Sequence, residues 1–289
     1  MQLLIDIGNS RIKWNTAQHG QLQGKTQAFI WHLDQLADEL LQQWQPLPEM
    51  TSVWIANVAG NAVAQVVEHF CQHHWRLMPQ YARTASAQCG ITNAYHQASH
   101  LGVDRWLCLL AAGQRYPRQP ICVISCGTAL TVDFINAKGE HLGGAIAPGP
   151  QLMQTALRHQ SRAIDDTLKL EQAAETHLPD KDSTHLSHAW QQVLTGSVGR
   201  STQECIAIGV RYASLGFVDA MIDKAQRELT TECRIIMTGG DAEYLIQQVL
   251  HEQTAQKRDA LTDAIRYEPD LLLHGLLMLG NDNVGDGNP

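Results

Sequence analysis

The feature that most constrains this chain is an echo of itself. Residues 3–10 read LLIDIGNS and residues 122–129 read CVISCGTA, and in both an apolar run ends in a tight turn holding glycine. Gly127 follows Gly8 by 119 residues, and the same interval separates Gly20, in WNTAQHGQL, from Gly139, in VDFINAKGEHL. Two glycines at one offset, each inside a matching hairpin signal, are what a duplicated domain leaves behind, because glycine fits turn geometries that side chains resist. Each half thus begins with a strand, a glycine turn, a second strand and a hairpin.

Strand and helix signals alternate around this echo. LLIDI (3–7) and SVWIANV (52–58) read as strands, and LDQLADELLQQW (33–44) and NAVAQVVEHFCQHHW (61–75) carry apolar residues at helical spacing. LGVDRWLCLLAAGQRY (101–116) reads as a helix that ends before Pro117 and Pro120, which mark the best domain boundary. ICVIS (121–125) opens a second block, and RIIMTGGDAEYLIQQVL (234–250) reads as strand, glycine turn and helix. The expectation is an α/β protein of two domains, 1–117 and 118–280, with a flexible polar tail at 281–289.

Composition narrows the function. Net charge is −8, which gives no broad attraction for nucleic acid and makes a small-molecule partner the better expectation. No uninterrupted apolar run reads as long enough to cross a bilayer, and Asp6 and Arg11 break the only apolar stretch near the start, so no membrane and no secretory leader are expected. The seven cysteines form no CxxC pair, which fits neither a disulfide framework nor a zinc ribbon and suggests a reducing cytoplasm. His69, His73 and His74 fall on one helix without a carboxylate or cysteine to complete a ligand set, and read as solvated side chains.

The turns are where chemistry could sit. A glycine after a strand lets backbone N–H groups approach phosphate oxygens. Asn9, Ser10 and Thr128 add side-chain donors, Lys13 a positive charge, and Asp6 an oxygen ligand suited to Mg²⁺. Taken singly, such a loop reads as an ordinary hairpin with Asp6 satisfying local donors. Two of them facing one another across a cleft would clamp a nucleoside triphosphate. Gly102, Asp104 and Arg105 lie at a helix start and combine a carboxylate able to take a hydroxyl proton with a guanidinium able to grip a carboxylate. GGAIAPGP (143–150) reads as a loop suited to close backbone approach, and TGGDA (238–242) as a strand-to-helix turn that suits nucleotide contact. There is no GxxxxGK[ST], no GxGxxG and no GxSxG, so P-loop kinases, Rossmann dehydrogenases and α/β-hydrolases are disfavoured.

Four runs in order, DIGNSRIK (6–13), LGVDR (101–105), CGTALTVD (126–133) and GGAIAPG (143–149), closely resemble the type III pantothenate kinases, the Bvg accessory factor family. The resemblance covers essentially the whole chain. It implies a duplicated acetate and sugar kinase/Hsp70/actin fold of ribonuclease H-like domains, with nucleotide in the interdomain cleft, assembled as a homodimer. It also implies the reaction, ATP-dependent phosphorylation of pantothenate at the start of coenzyme A synthesis. Competing readings are a nucleotide-binding regulatory protein that has lost catalysis and another small-molecule kinase of the same superfamily.

Carried over to this sequence, the resemblance makes Asp6, Ile7, Gly8, Asn9, Ser10, Arg11, Ile12 and Lys13 the first phosphate loop, with Asp6 on the metal side, and makes Thr128 a contact to ATP. Asp104 becomes the general base. Tyr95, Gly102, Val103, Asp104, Arg105 and Thr202 become contacts to pantothenate, with Arg105 on its carboxylate and Thr202 near the dimer interface. Taken structurally, Tyr95 reads as a core aromatic and Thr202 as a helix cap. Ser125 stands where many members carry an aspartate that helps bind an activating K⁺ or NH₄⁺, so weaker or differently arranged monovalent-cation activation is expected.

Overall fold

A computed structural model describes residues 1–161, 164–168, 198–229 and 232–285. The chain forms two compact units: Met1–Gln119 with Ile135–Gly143 and Asp270–Pro289, and Pro120–Phe134 with Gly144–Pro269.

The first unit contains strands β1 (Gln2–Ile7), β2 (Arg11–Gln18), β3 (Gln21–Leu22), β4 (Gln27–Ile30), β5 (Ser52–Asn57), β6 (Gln80–Tyr81), β7 (Ala87–Gln88) and β8 (Ile91–Thr92). Helices α1 (Leu36–Trp44), α2 (Asn61–Trp75) and α3 (Val103–Arg115) lie among them in sequence. The main sheet runs β3-β2-β1-β5-β6, with β4 also paired to β2. β1 is antiparallel to β2 and parallel to β5. Its Leu3, Leu4, Ile5 and Ile7 are all buried, as a central strand covered on both faces requires. On one face Leu36, Leu40 and Trp44 of α1 and Val63, Val67 and Phe70 of α2 pack against Leu3, Ile5 and Ile7. Their spacing is the helical period that marked both helices in the sequence. The C-terminal helix, Leu271–Gly285, packs on α3, β1 and β5. A side chain at Gly275 would strike the Leu107 backbone, so this contact depends on glycine. The segment read as a tail therefore begins as helix, and residues 286–289 of that reading lie outside the described residues.

The second unit contains β9 (Ile121–Cys126), β10 (Ala129–Ile135), most of β11 (His141–Pro148), α4 (Pro150–Gln160), α5 (Thr202–Glu228), β12 (Arg234–Thr238), α6 (Ala242–Glu252), α7 (Ala255–Ala264) and β13 (Ile265–Tyr267); the end of β10 and the start of β11, with the hairpin between them, belong to the first unit. Its sheet runs β11-β10-β9-β12-β13, with β12 parallel to both neighbours. Strand for strand this repeats β3-β2-β1-β5-β6, so the 119-residue echo marks a true duplication of topology. Cys122, Ile124, Cys126, Leu130 and Val132 form its core with Val218 and Ile222 of α5 and Leu245 and Val249 of α6.

Two readings need correction. GGAIAPGP is largely the edge strand β11 and the start of α4, not a loop; its glycines and proline hide a strand because an edge needs fewer ladder bonds. Among the described residues, α5 is long and apolar enough to cross a membrane, a length the sequence reading missed because Arg211 and Asp219 interrupt it. Its Val210, Ser214, Leu215, Val218, Ile222 and Ala225 are buried at helical spacing.

Candidate active site

The first loop is held by strand register. Asp6 of β1 stands directly opposite Lys13 of β2, and Ile7 opposite Ile12, so the charged pair shares one face while both isoleucines are buried. The Gly8 N–H donates to the Arg11 carbonyl at 3.0 Å, and the Gly8 carbonyl accepts from the Trp31 indole N–H at 2.9 Å. Asn9 and Ser10 are exposed at the tip. Trp31 was not anticipated as a support; nothing in its local sequence links it to Gly8.

The structure brings this loop within electrostatic reach of Asp104, 98 residues later in the chain. The Asp6 carboxyl is pushed up to about 6, first because burial strips its water, with Lys13 pulling it down and Asp104 pushing it up. Asp104 lies in the first turn of α3, where the helix dipole favours negative charge. Its carboxylate folds back over Gly102, and a Cβ there would lie only 2.5 Å from Asp104 Oδ1. Gly102 also accepts the first helical bond, from the Trp106 N–H at 3.0 Å. A helix start with no side chain at its cap is thus what lets the Asp104 carboxylate lie there.

These residues fit Mg²⁺. Two carboxylates close enough to repel one another offer the hard oxygen donors the ion prefers, and a nucleotide-bound Mg²⁺ takes only one or two protein carboxylates. Among the described residues no group of three or more His, Cys, Asp or Glu is placed to hold a metal. His69 and His73 are exposed on α2, as solvated side chains should be.

Arg105 and Tyr95 meet. Arg105 is 7% exposed; its Nη1 donates to the Tyr95 hydroxyl at 3.0 Å and its guanidinium lies 5.7 Å from the ring centroid. Tyr95 is half-buried and polar-bonded, so it is not a plain core aromatic. Asn93, which sequence reasoning missed, organises this stretch: its Oδ1 accepts from the Tyr95 N–H at 3.0 Å and its amide donates to the Ala85 and Ala98 carbonyls at 3.2 and 3.3 Å.

In the second unit Thr128 is exposed between β9 and β10, and the Gly127 N–H donates to the Ala129 carbonyl at 3.1 Å. The loop is braced by backbone. Gly149 donates to the Thr128 carbonyl at 2.9 Å, and a Cβ on Gly149 would strike the Gly127 and Thr128 carbonyls. Gly239, at φ +100°, lies equally hard against the Cys126 backbone. Ser125 pairs with Thr238 across β9 and β12. Thr202 begins α5, but the cap is Ser201, whose hydroxyl accepts from the Glu204 N–H at 3.1 Å. Thr202 instead lines an apolar groove of about 1190 Å³ with Leu152, Met153, Leu157, Ile206 and Val210.

The family model for type III pantothenate kinase matches residues 2–224. A type III pantothenate kinase of Nitrosococcus oceani is 32% identical over 293 residues, with 98% of this chain and 94% of that protein covered. Among solved structures, a conserved Baf family protein of Campylobacter jejuni is similar at a TM-score of 0.52 and 19% identity, covering 97% of this chain and 99% of that one. The activator of the 2-hydroxyisocaproyl-CoA dehydratase of Clostridium difficile, with ADPNP bound, gives a TM-score of 0.50 at 10% identity, covering 100% and 98%. With the repeated strand order, these likenesses show the duplicated acetate and sugar kinase/Hsp70/actin fold.

Proposed function

The chain belongs to the type III pantothenate kinase family, and from that premise we propose that Asp104, Arg105 and the loop from Asp6 to Lys13 carry its chemistry. The reaction is ATP-dependent phosphorylation of pantothenate to 4′-phosphopantothenate, the first step of coenzyme A synthesis, and the chain is a phosphotransferase with an alcohol as acceptor.

The observation that carries the residue assignment is the convergence of Asp6, Lys13 and Asp104, with Arg105 one residue on. The pantothenate hydroxyl oxygen forms a bond to the γ-phosphorus, the bond from that phosphorus to the bridging oxygen breaks, ADP leaves, and Asp104 takes the hydroxyl proton. Arg105 presents a planar fork of donors suited to the pantothenate carboxylate; Tyr95, bonded to Arg105, and Gly102 and Val103, at the start of the same helix, would contact the rest of that substrate. The exposed tip of this loop, Asn9 and Ser10, approaches the phosphates, Lys13 adds a compact positive charge, and Thr128 donates its hydroxyl to ATP from the second loop. Asp6 would hold Mg²⁺, which supplies charge neutralisation on the phosphates when bound.

The remaining assignments follow the same family. The exposed apolar groove holding Thr202, with Leu152 and Leu157 beside it, supports a homodimer interface, which sedimentation of the purified protein tests. A hydroxyl is a weaker K⁺ ligand than a carboxylate, so Ser125 supports weak activation by K⁺ or NH₄⁺; strong saturable activation at low K⁺, with Na⁺ as control, would contradict this. Net charge of −8 supports a small-molecule partner over nucleic acid, and seven free thiols support a cytoplasmic setting.

Incubation with ATP, Mg²⁺ and a panel of hydroxylated acids tests the whole reading. Mass spectrometry should find one phosphoryl group added to pantothenate in preference to the other acids; phosphorylation of a different acid, with pantothenate untouched, would overturn it.

A further inference from the structure

Between Thr92 and Val103 the described secondary structure is a single 3-10 turn, Ala98–His100, yet this run carries Tyr95. Something outside it must fix the ring. Asn93 ties the backbone locally, as described above. The second support comes from the hairpin between β10 and β11, residues 135–143, which belongs to the first unit.

That hairpin is docked on the strand before Tyr95. The Thr92 N–H donates to the Gly139 carbonyl at 2.9 Å, and Thr92 forms a parallel bridge with Glu140. Gly139, at φ +82°, leaves no space for a Cβ against the Gly90 carbonyl, so the two backbones meet closely. From the same hairpin His141 reaches Tyr95. It is 3% exposed, its ring lies 6.1 Å from the Tyr95 ring at an interplanar angle of 16°, and its Nδ1 accepts from the Ala94 N–H at 3.4 Å. An Nδ1 that accepts here carries no proton, which leaves Nε2 as the donor of the ring. An apolar ring could stack there equally well, but a side chain with an acceptor at this place also meets the Ala94 N–H.

We propose that His141 is a positioning residue for the phosphoryl acceptor: it holds Tyr95, and through Tyr95 the Arg105 guanidinium, in the orientation that grips the substrate carboxylate. This rests on the assignment of Arg105 to the pantothenate carboxylate. The contacts named here run in series from Ala94 and Tyr95 to His141 on one side and from Tyr95 to Arg105 on the other, and none of these named contacts is made by a residue of the phosphate loop. Loss of His141 should therefore loosen the acceptor site and leave the nucleotide site unchanged.

Steady-state kinetics with pantothenate and ATP varied separately test this on the full chain. His141→Ala should raise the pantothenate KM about 10-fold, the worth of one stacking contact and one hydrogen bond, with kcat and the ATP KM within about twofold of wild type. His141→Phe keeps the stack and His141→Asn keeps the acceptor, so each should raise the pantothenate KM by about threefold, half of that free energy. A merely structural role would lower the active fraction, and so kcat, while leaving both KM values alone; that result overturns the proposal. Should His141→Ala fail to fold, an unchanged pantothenate KM in both the Phe and Asn variants overturns it equally. Arg105→Lys is the control arm. If it raises the pantothenate KM and the His141 variants do not, only the role of His141 falls; if Arg105→Lys has no effect, the assignment of Arg105 falls and this inference with it.

Discussion

The two halves of the molecule share a strand order but not a loop chemistry. In the first, Asp6 and Lys13 face each other across β1 and β2. One repeat later, the corresponding positions hold Ser125 and Val132, a neutral hydroxyl and a fully buried apolar side chain. What the second loop has instead is backbone: Gly149 and Gly239 press on Cys126, Gly127 and Thr128 more closely than any side chain allows. Duplication supplied two turns after equivalent strands, one closed from Gly8 to Arg11 and the other, a residue tighter, from Gly127 to Ala129; divergence left charge on the first and close packing on the second. The nucleotide site proposed above would draw on both kinds of loop, since phosphates call for cations and metal ligands at one place and shape-matched donors at another.

The comparison breaks most visibly at the charged loop. Asp6→Asn should lower kcat by about 10²–10³-fold, as loss of a preorganised electrostatic group does, while Ser125→Ala should cost less than about 10-fold. Equal losses in a Mg²⁺ titration of both variants would erase the asymmetry. Next in size is the packing of the second loop. Gly149→Ala should cost about 1–3 kcal/mol in denaturant unfolding, as overpacking does. By contrast, Gly209→Ala, on α5 with nothing near the added methyl, should stabilise by about 0.5–1 kcal/mol.

A smaller effect separates the loops by pH. Asp6 binds its proton more tightly in the folded chain, at about 6 against an ordinary 3.8, so its contribution to stability is present at low pH and lost as pH rises through that window. Asp6→Asn should therefore be more stable than wild type at pH 7 without Mg²⁺, and the difference should vanish near pH 4. Ser125→Ala should show no such dependence. Ionisation is also what prepares Asp6 for the metal, so Mg²⁺ affinity should fall about tenfold for each pH unit below about 6, measurable by calorimetry.

Much of the fold was legible because its signals are local. The period of NAVAQVVEHFCQHHW placed α2 at Asn61–Trp75, and LLIDI placed β1 to within a residue of Gln2–Ile7. The helix read from residue 33 begins at Leu36, because 33–35 form a turn before it. What stayed hidden depends on distance along the chain. Asp104 lies 98 residues from Asp6, and His141 lies 46 from Tyr95; no spacing or composition encodes such meetings, only the sheet and the docked hairpin do. The helix start at Gly102 already singled out Asp104 and Arg105, and the resemblance gave them pantothenate as partner, but neither gave a hint of Asn93, Trp31 or His141, whose work is to hold other residues still. The bracing of the second loop by Gly149 was readable only as a suspicion that glycines permit close approach.

The central claim is that Asp104 takes the acceptor's proton at the charged end of the first unit. The most direct measurement is phosphopantothenate formation by wild type and Asp104→Asn, with ATP binding followed in parallel by calorimetry. The account predicts that the variant loses about 10²–10⁴-fold in kcat, the range for a positioned general base, while binding ATP as wild type does. An unimpaired rate in Asp104→Asn would contradict it.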